Sequence, residues 1–95
     1  MPLATFPFDA AKDLDSDEAI AVYLDEAFAT QDPAFITHAI GVAARARGMT
    51  QIAKDAGLSR ESLYKALSDT GNPECATVLR VLQALGLRMT TVAAA

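Results

Sequence analysis

Apolar residues recur at helical spacing through most of the chain. Ile20, Tyr23, Leu24, Ala27 and Phe28 follow the i, i+3, i+4, i+7, i+8 pattern of one buried helix face. Asp15 followed by Glu18 resembles a capping box, so the helix is expected from there to about Thr30. Asp32-Pro33 signals another start, a capping carboxylate and a proline in the first turn. That helix should reach Arg47, with Ile36, Ile40, Ala43 and Ala44 inward, and end at Gly48. Thr50 is expected to cap a short helix, Gln51 to Ala56, and Ser59 to cap a second, Arg60 to Leu67. Ser68 to Asn72 reads as a loop leading to Pro73. A last helix should cover Cys75 to Leu85, with Val78, Leu79, Leu82 and Leu85 inward and Gly86 as its stop. Leu87 to Val92 is rich in β-branched residues and reads as a short terminal strand. Such a strand needs a mate, either the Leu3 to Phe8 arm or its equivalent in a second subunit.

These elements predict an all-α fold, a small bundle of about five helices. Residues 1–14 form an N-terminal arm, in which Asp9 is placed to cap a short turn through Leu14, and residues 15–95 form one domain. The stretch from Ile52 to Leu67 carries the most information. A helix-turn-helix crosses two helices steeply through a turn of three or four residues. Ala53 supplies the small residue where they touch, Gly57 the positive φ, Leu58 the plug and Ser59 the second cap. Leu63, Ala66 and Leu67 anchor the second helix. At about 100° per residue this leaves Glu61 and Lys65 on the opposite face, flanked by Arg60, Tyr64 and Ser68.

Charge sharpens that picture. The net charge of −4 argues against a nucleic-acid ligand until its distribution is examined. Residues 1–44 hold one basic and eight acidic residues, a net of −7. Residues 45–95 hold seven basic and four acidic residues, a net of +3. Local field governs attraction to phosphate, so the C-terminal half is suited to face DNA and the acidic half to face away or to meet a basic protein.

Composition removes several function classes. The longest uninterrupted apolar stretch, Ala19 to Leu24, is far too short to span a bilayer, and residues 1–8 lack the basic start of a secretory signal. The single cysteine, Cys75, forms no internal disulfide, and a reducing cytoplasm fits best. It is expected to be a small core residue, and the sole histidine, His38, to be structural. No nucleophile, base and oxyanion arrangement, metal-ligand cluster or cofactor-binding glycine loop stands in the sequence, so an enzyme is not expected.

Met49-Thr50-Gln51-Ile52-Ala53 through Gly57-Leu58-Ser59-Arg60-Glu61-Ser62-Leu63-Tyr64-Lys65-Ala66-Leu67 resembles the helix-turn-helix of Cro/CI-type repressors, a lambda repressor-like fold. Only Gln51 separates Thr50 from Ile52, so the first helix of the motif is about two residues shorter than in those repressors. Phe8-Asp9-Ala10-Ala11, Ala21-Val22-Tyr23-Leu24, Ala43 to Thr50 and Leu63 to Ser68 resemble a narrower group, the probable addiction module antidote family. The resemblance runs over roughly residues 6–92.

It implies a dimeric repressor of its own operon that binds double-stranded operator DNA and neutralises a cognate toxin. Ser59, Arg60, Glu61, Tyr64 and Lys65 would then form the contact set, with Arg45, Arg47, Thr50 and Gln51 near the DNA backbone. Arg60 and Lys65 are assigned base reading, since arginine grips guanine bidentately. A homodimer is expected because one recognition helix contacts few base pairs. The alternative is a protein-interaction module that sequesters a toxin without binding DNA, and the net charge of residues 1–44 supports it.

Overall fold

The computed structural model describes residues 14–94. The arm at residues 1–13 and the turn capped by Asp9 lie outside them. Among the described residues the chain is all-helical, with α1 (Asp17–Ala29), α2 (Pro33–Arg47), α3 (Met49–Ala56), α4 (Arg60–Ala66) and α5 (Cys75–Ala84). The principal pairings set α1 against α2, α2 against α3, and α3 against both α4 and α5. α3 is therefore the hub, although it has only eight residues.

The core explains the order of these pairings. Ile20, Leu24 and Ala27 of α1 meet Ala39, Ile40, Ala43 and Ala44 of α2. Met49, Ile52, Ala53 and Ala56 of α3 carry the core across to Leu63 and Leu67 and to Val81, Leu82 and Leu85. Alanines at 43, 44, 53 and 56 let the short helices approach closely. Ile20, Ile40, Leu63, Val81 and Leu85 are the largest fully buried side chains. Burial of each contributes about 1.5–3 kcal/mol against the entropy of ordering the chain.

Local chemistry sets most helix ends, with three shifts from expectation. α1 begins after Ser16, not Asp15: the Ser16 hydroxyl accepts from the Ala19 N–H at 3.1 Å. That phase puts Asp17 and Glu18 together in the first turn, at the positive end of the helix dipole. α2 begins as read, with the Asp32 carboxylate accepting from Ala34 N–H at 3.1 Å and from Phe35 N–H at 3.4 Å. α3 begins at Met49, with Gly48 as its cap and no side-chain cap bond, so Thr50 is not the cap. Burial of Met49 sets that start, because its side chain belongs to the core from the first position.

The third shift is in α5. Val78, Val81, Leu82 and Leu85 make its inner stripe, Val78 partly buried and the others fully. Leu79 falls outside this phase and is exposed, and Cys75 is exposed at the first position of the helix, not in the core. No strand occurs among the described residues, and residues 87–94 carry no regular structure. The expected terminal strand is absent for two reasons. Leu87 donates its N–H to the Leu82 carbonyl at 2.8 Å, closing α5. The backbone beyond it meets no partner strand within the described part of one copy. No helix among the described residues is long and apolar enough to cross a membrane.

Candidate nucleic-acid interface

α3 and α4 are joined by a turn whose hydrogen bonds are all local. Gly57 adopts φ +73° and ψ 30°, a left-handed conformation that a side chain disfavours. Leu58 N–H then reaches the Ala53 carbonyl at 2.8 Å, and Gly57 N–H reaches Lys54 at 3.2 Å. This pair of bonds closes α3 as a Schellman motif. Leu58 is partly buried against the core. The next residue, Ser59, turns the chain into α4 by accepting from Ser62 N–H at 3.0 Å.

α4 is held by one side and shows the other. Leu63 and Leu67 are buried, while Ser59, Arg60, Glu61, Tyr64 and Lys65 are all exposed. Arg60 and Tyr64 stand one turn apart and interact. The guanidinium carbon lies 5.0 Å from the ring centroid, and Nη2 donates to the Tyr64 hydroxyl at 3.2 Å. The contact orients the arginine fork before any ligand arrives, and cation–π attraction at an exposed site contributes about 0.5–1 kcal/mol. Glu61 and Lys65 form no ion pair among the described residues.

Lys65 also lines a shallow concavity of about 330 Å³ with Ser62, Thr70 and Asn72. Sequence reading missed Thr70 and Asn72 as neighbours of Lys65. Their signal was the Asp-Thr-Gly-Asn loop, which reads only as a turn until it folds back beside α4. Gly71 makes that return possible: a Cβ there would overlap the Ala66 carbonyl.

The four residues assigned to the DNA backbone separate into different situations. Thr50 is exposed in the first turn of α3. Gln51 is exposed too, and its amide donates to Asp55 along the same helix at 2.9 Å. Arg45 is exposed on α2 and folds back toward Gly41, where a Cβ would stand 3.4 Å from its Nη1 and 3.4 Å from the Leu67 carbonyl oxygen. Arg47 does not join this group: its Nη2 pairs with Asp17 Oδ1 at 2.8 Å, tying the end of α2 to the first turn of α1. Nothing near Arg47 in sequence signals this, because its partner is thirty positions away.

Among the described residues, fold and surface define an all-helical domain with a short, capped helix presenting cationic, aromatic and hydroxyl groups to solvent. The chain belongs to a family described as probable addiction module antidote proteins, whose model matches residues 4–93. Membership implies a cognate toxin as partner. The chain is also similar to an uncharacterized protein of Haemophilus influenzae, 54% identical over 81 residues, covering 85% of this chain and 84% of the relative. No solved structure matches it significantly.

Proposed function

We propose that this antidote is also a DNA-binding repressor of its own operon. α3, the Gly57 turn and α4 act as a helix-turn-helix, with α4 in the major groove. One observation carries this reading: α4 buries Leu63, its cap residue Leu67 is buried too, and Arg60, Glu61, Tyr64 and Lys65 are exposed. Arg60 reads a guanine edge, Lys65 reads a base or holds a phosphate, and Tyr64 aligns Arg60. Exposed Ser59, Thr50, Gln51 and Arg45 are assigned to phosphates, and Arg47 keeps its ion pair with Asp17. Two copies bind, because recognition helices one helical turn apart, about 34 Å, read a palindrome. Repression and toxin neutralisation both take place in the cytoplasm, where the operon is transcribed.

The acidic face supports the second half of the role. Residues 14–44 carry six carboxylates and no lysine or arginine, and five of the six lie from Asp15 to Glu26 on and beside α1. A basic toxin would be drawn to that side and not to α4.

Gel shift on the DNA upstream of the gene, over a salt series, tests the reading. Arg60→Ala and Lys65→Ala should abolish the shift and leave toxin neutralisation intact. Absence of binding by the wild-type protein at low salt leaves toxin sequestration alone as the function. Loss of neutralisation in variants that still bind DNA overturns this division of surfaces.

A further inference from the structure

A groove lies between α1 and the segment that follows α5. Its volume is about 410 Å³, and its wall includes Val22, Asp25, Phe28, Leu87, Arg88 and Met89. Leu24 and Leu82 form its buried floor. The rim is apolar and open: Val22 is 62% exposed and Met89 47%. Three residues beyond Met89, Val92 is 88% exposed. Apolar side chains grouped this way on a small protein mark a contact surface.

We propose that a second copy of this chain occupies the groove, through a twofold contact that pairs Asp25 with Arg88 of the partner subunit. The groove holds one acid and one base beside its apolar floor. Asp25 and Arg88 form no ion pair with each other or with any other described residue. A surface carrying both signs at separate points is self-complementary under a twofold axis, which matches each acid to the partner's base. A strongly basic or acidic partner would meet a like charge at one of the two points.

The backbone points the same way. Residues 88–94 make no backbone hydrogen bonds among the described residues and lie exposed beside the groove.

The location also fits the recognition reading, on which the need for two copies rests. The groove is built from α1, Leu82 and residues 87–90, whereas α4 is anchored through α3. Pairing there leaves Arg60 and Lys65 uncovered in both copies.

The test uses two charge reversals, Asp25→Arg and Arg88→Asp, in the full-length protein. Either variant alone sets like charges across the seam at both symmetric points. Mixed together, the two variants restore opposite charges at both. Sedimentation at micromolar concentration should show the wild type as a dimer. Each variant should be monomeric, with dimer dissociation raised at least about tenfold. The mixture should recover a heterodimer, and unchanged helical circular dichroism separates this from unfolding.

A monomeric wild type, variants that remain dimers, or a mixture that fails to pair overturns the assignment. DNA binding is scored separately in the same samples. Dimers that obey the charge swap without shifting DNA keep the seam and reject the repressor role. DNA binding by dimers indifferent to the swap does the reverse.

Discussion

Arg60 donates to the Tyr64 hydroxyl and lies over its ring, so neither residue acts alone. A long side chain normally loses rotamer freedom when it binds, at a cost that can approach 2 kcal/mol for arginine. The contact with Tyr64 takes part of that loss in the free protein. Arg60→Ala should therefore weaken operator binding by about 1–3 kcal/mol and relax preference at one base pair. Tyr64→Phe keeps the ring and removes only the acceptor, so its effect should be a fraction of that. Fluorescence anisotropy on operator and single-base variants measures both. If Tyr64→Phe costs as much as Arg60→Ala, the hydroxyl touches DNA directly. The other tyrosine supplies a different test at this scale. Burial disfavours the Tyr23 phenolate and raises its pKa above 10.0. The folded state thus holds its proton more tightly than the unfolded state. Its contribution to stability is complete below the unfolded pKa and is lost as pH rises through the folded one. In Tyr64→Phe protein, where Tyr23 is the remaining tyrosine, absorbance should report ionisation above pH 10, with stability falling over the same range.

The turn between α3 and α4 shows how one element boundary is fixed. A Cβ added at Gly57 meets nothing within 4 Å, so only the positive φ resists a side chain there. Gly57→Ala should destabilise by about 1 kcal/mol, and Gly57→Asn by less, because asparagine tolerates the left-handed region. For a domain of this size that corresponds to a melting temperature lower by about 4–8 °C for alanine. Gly71→Ala should cost more than Gly57→Ala, since its Cβ runs into the Ala66 backbone. Thermal unfolding of the three variants should rank them in that order, with Gly71→Ala lowest. Such positions are legible in sequence because their causes are local: a glycine, a capping serine, a proline after aspartate. The misread ends and faces have distant causes. Met49 begins α3 because the core takes its side chain, which no neighbouring residue announces. α5 turns Val81 inward and Leu79 outward because α3 packs on that side, yet both phases look apolar in sequence. Leu87 to Val92 has the composition of a strand, but a strand exists only with a partner, and composition does not supply one. The candidate contact face was legible for a local reason. Leu63 and Leu67 are a turn apart, and burying them turns Glu61 and Lys65 to the opposite face, with Arg60 and Tyr64 exposed at its flanks.

At the scale of the whole molecule, charge is sorted along the chain and the fold preserves the sorting. Five of the ten described carboxylates lie on and beside α1, whereas α4 exposes the cations Arg60 and Lys65 with the single carboxylate Glu61. This sorting lets a protein of net charge −4 approach DNA, because screening over about 8–10 Å at physiological salt hides the distant carboxylates. The consequence is quantitative. A dimer holding phosphates through Arg45 and Lys65 in each copy neutralises about four, so log K against log salt should have a slope of about −3.6. Lys65→Ala should make that slope shallower by about 2, one phosphate per copy. Arg47→Ala should leave it unchanged, since its guanidinium is already neutralised by Asp17 at 2.8 Å. Its loss should appear instead as a small drop in melting temperature, by the amount that an exposed ion pair contributes, at most about 1 kcal/mol. A salt slope that changes with Arg47 and not with Lys65 would move the phosphate contacts to the end of α2 and away from α4.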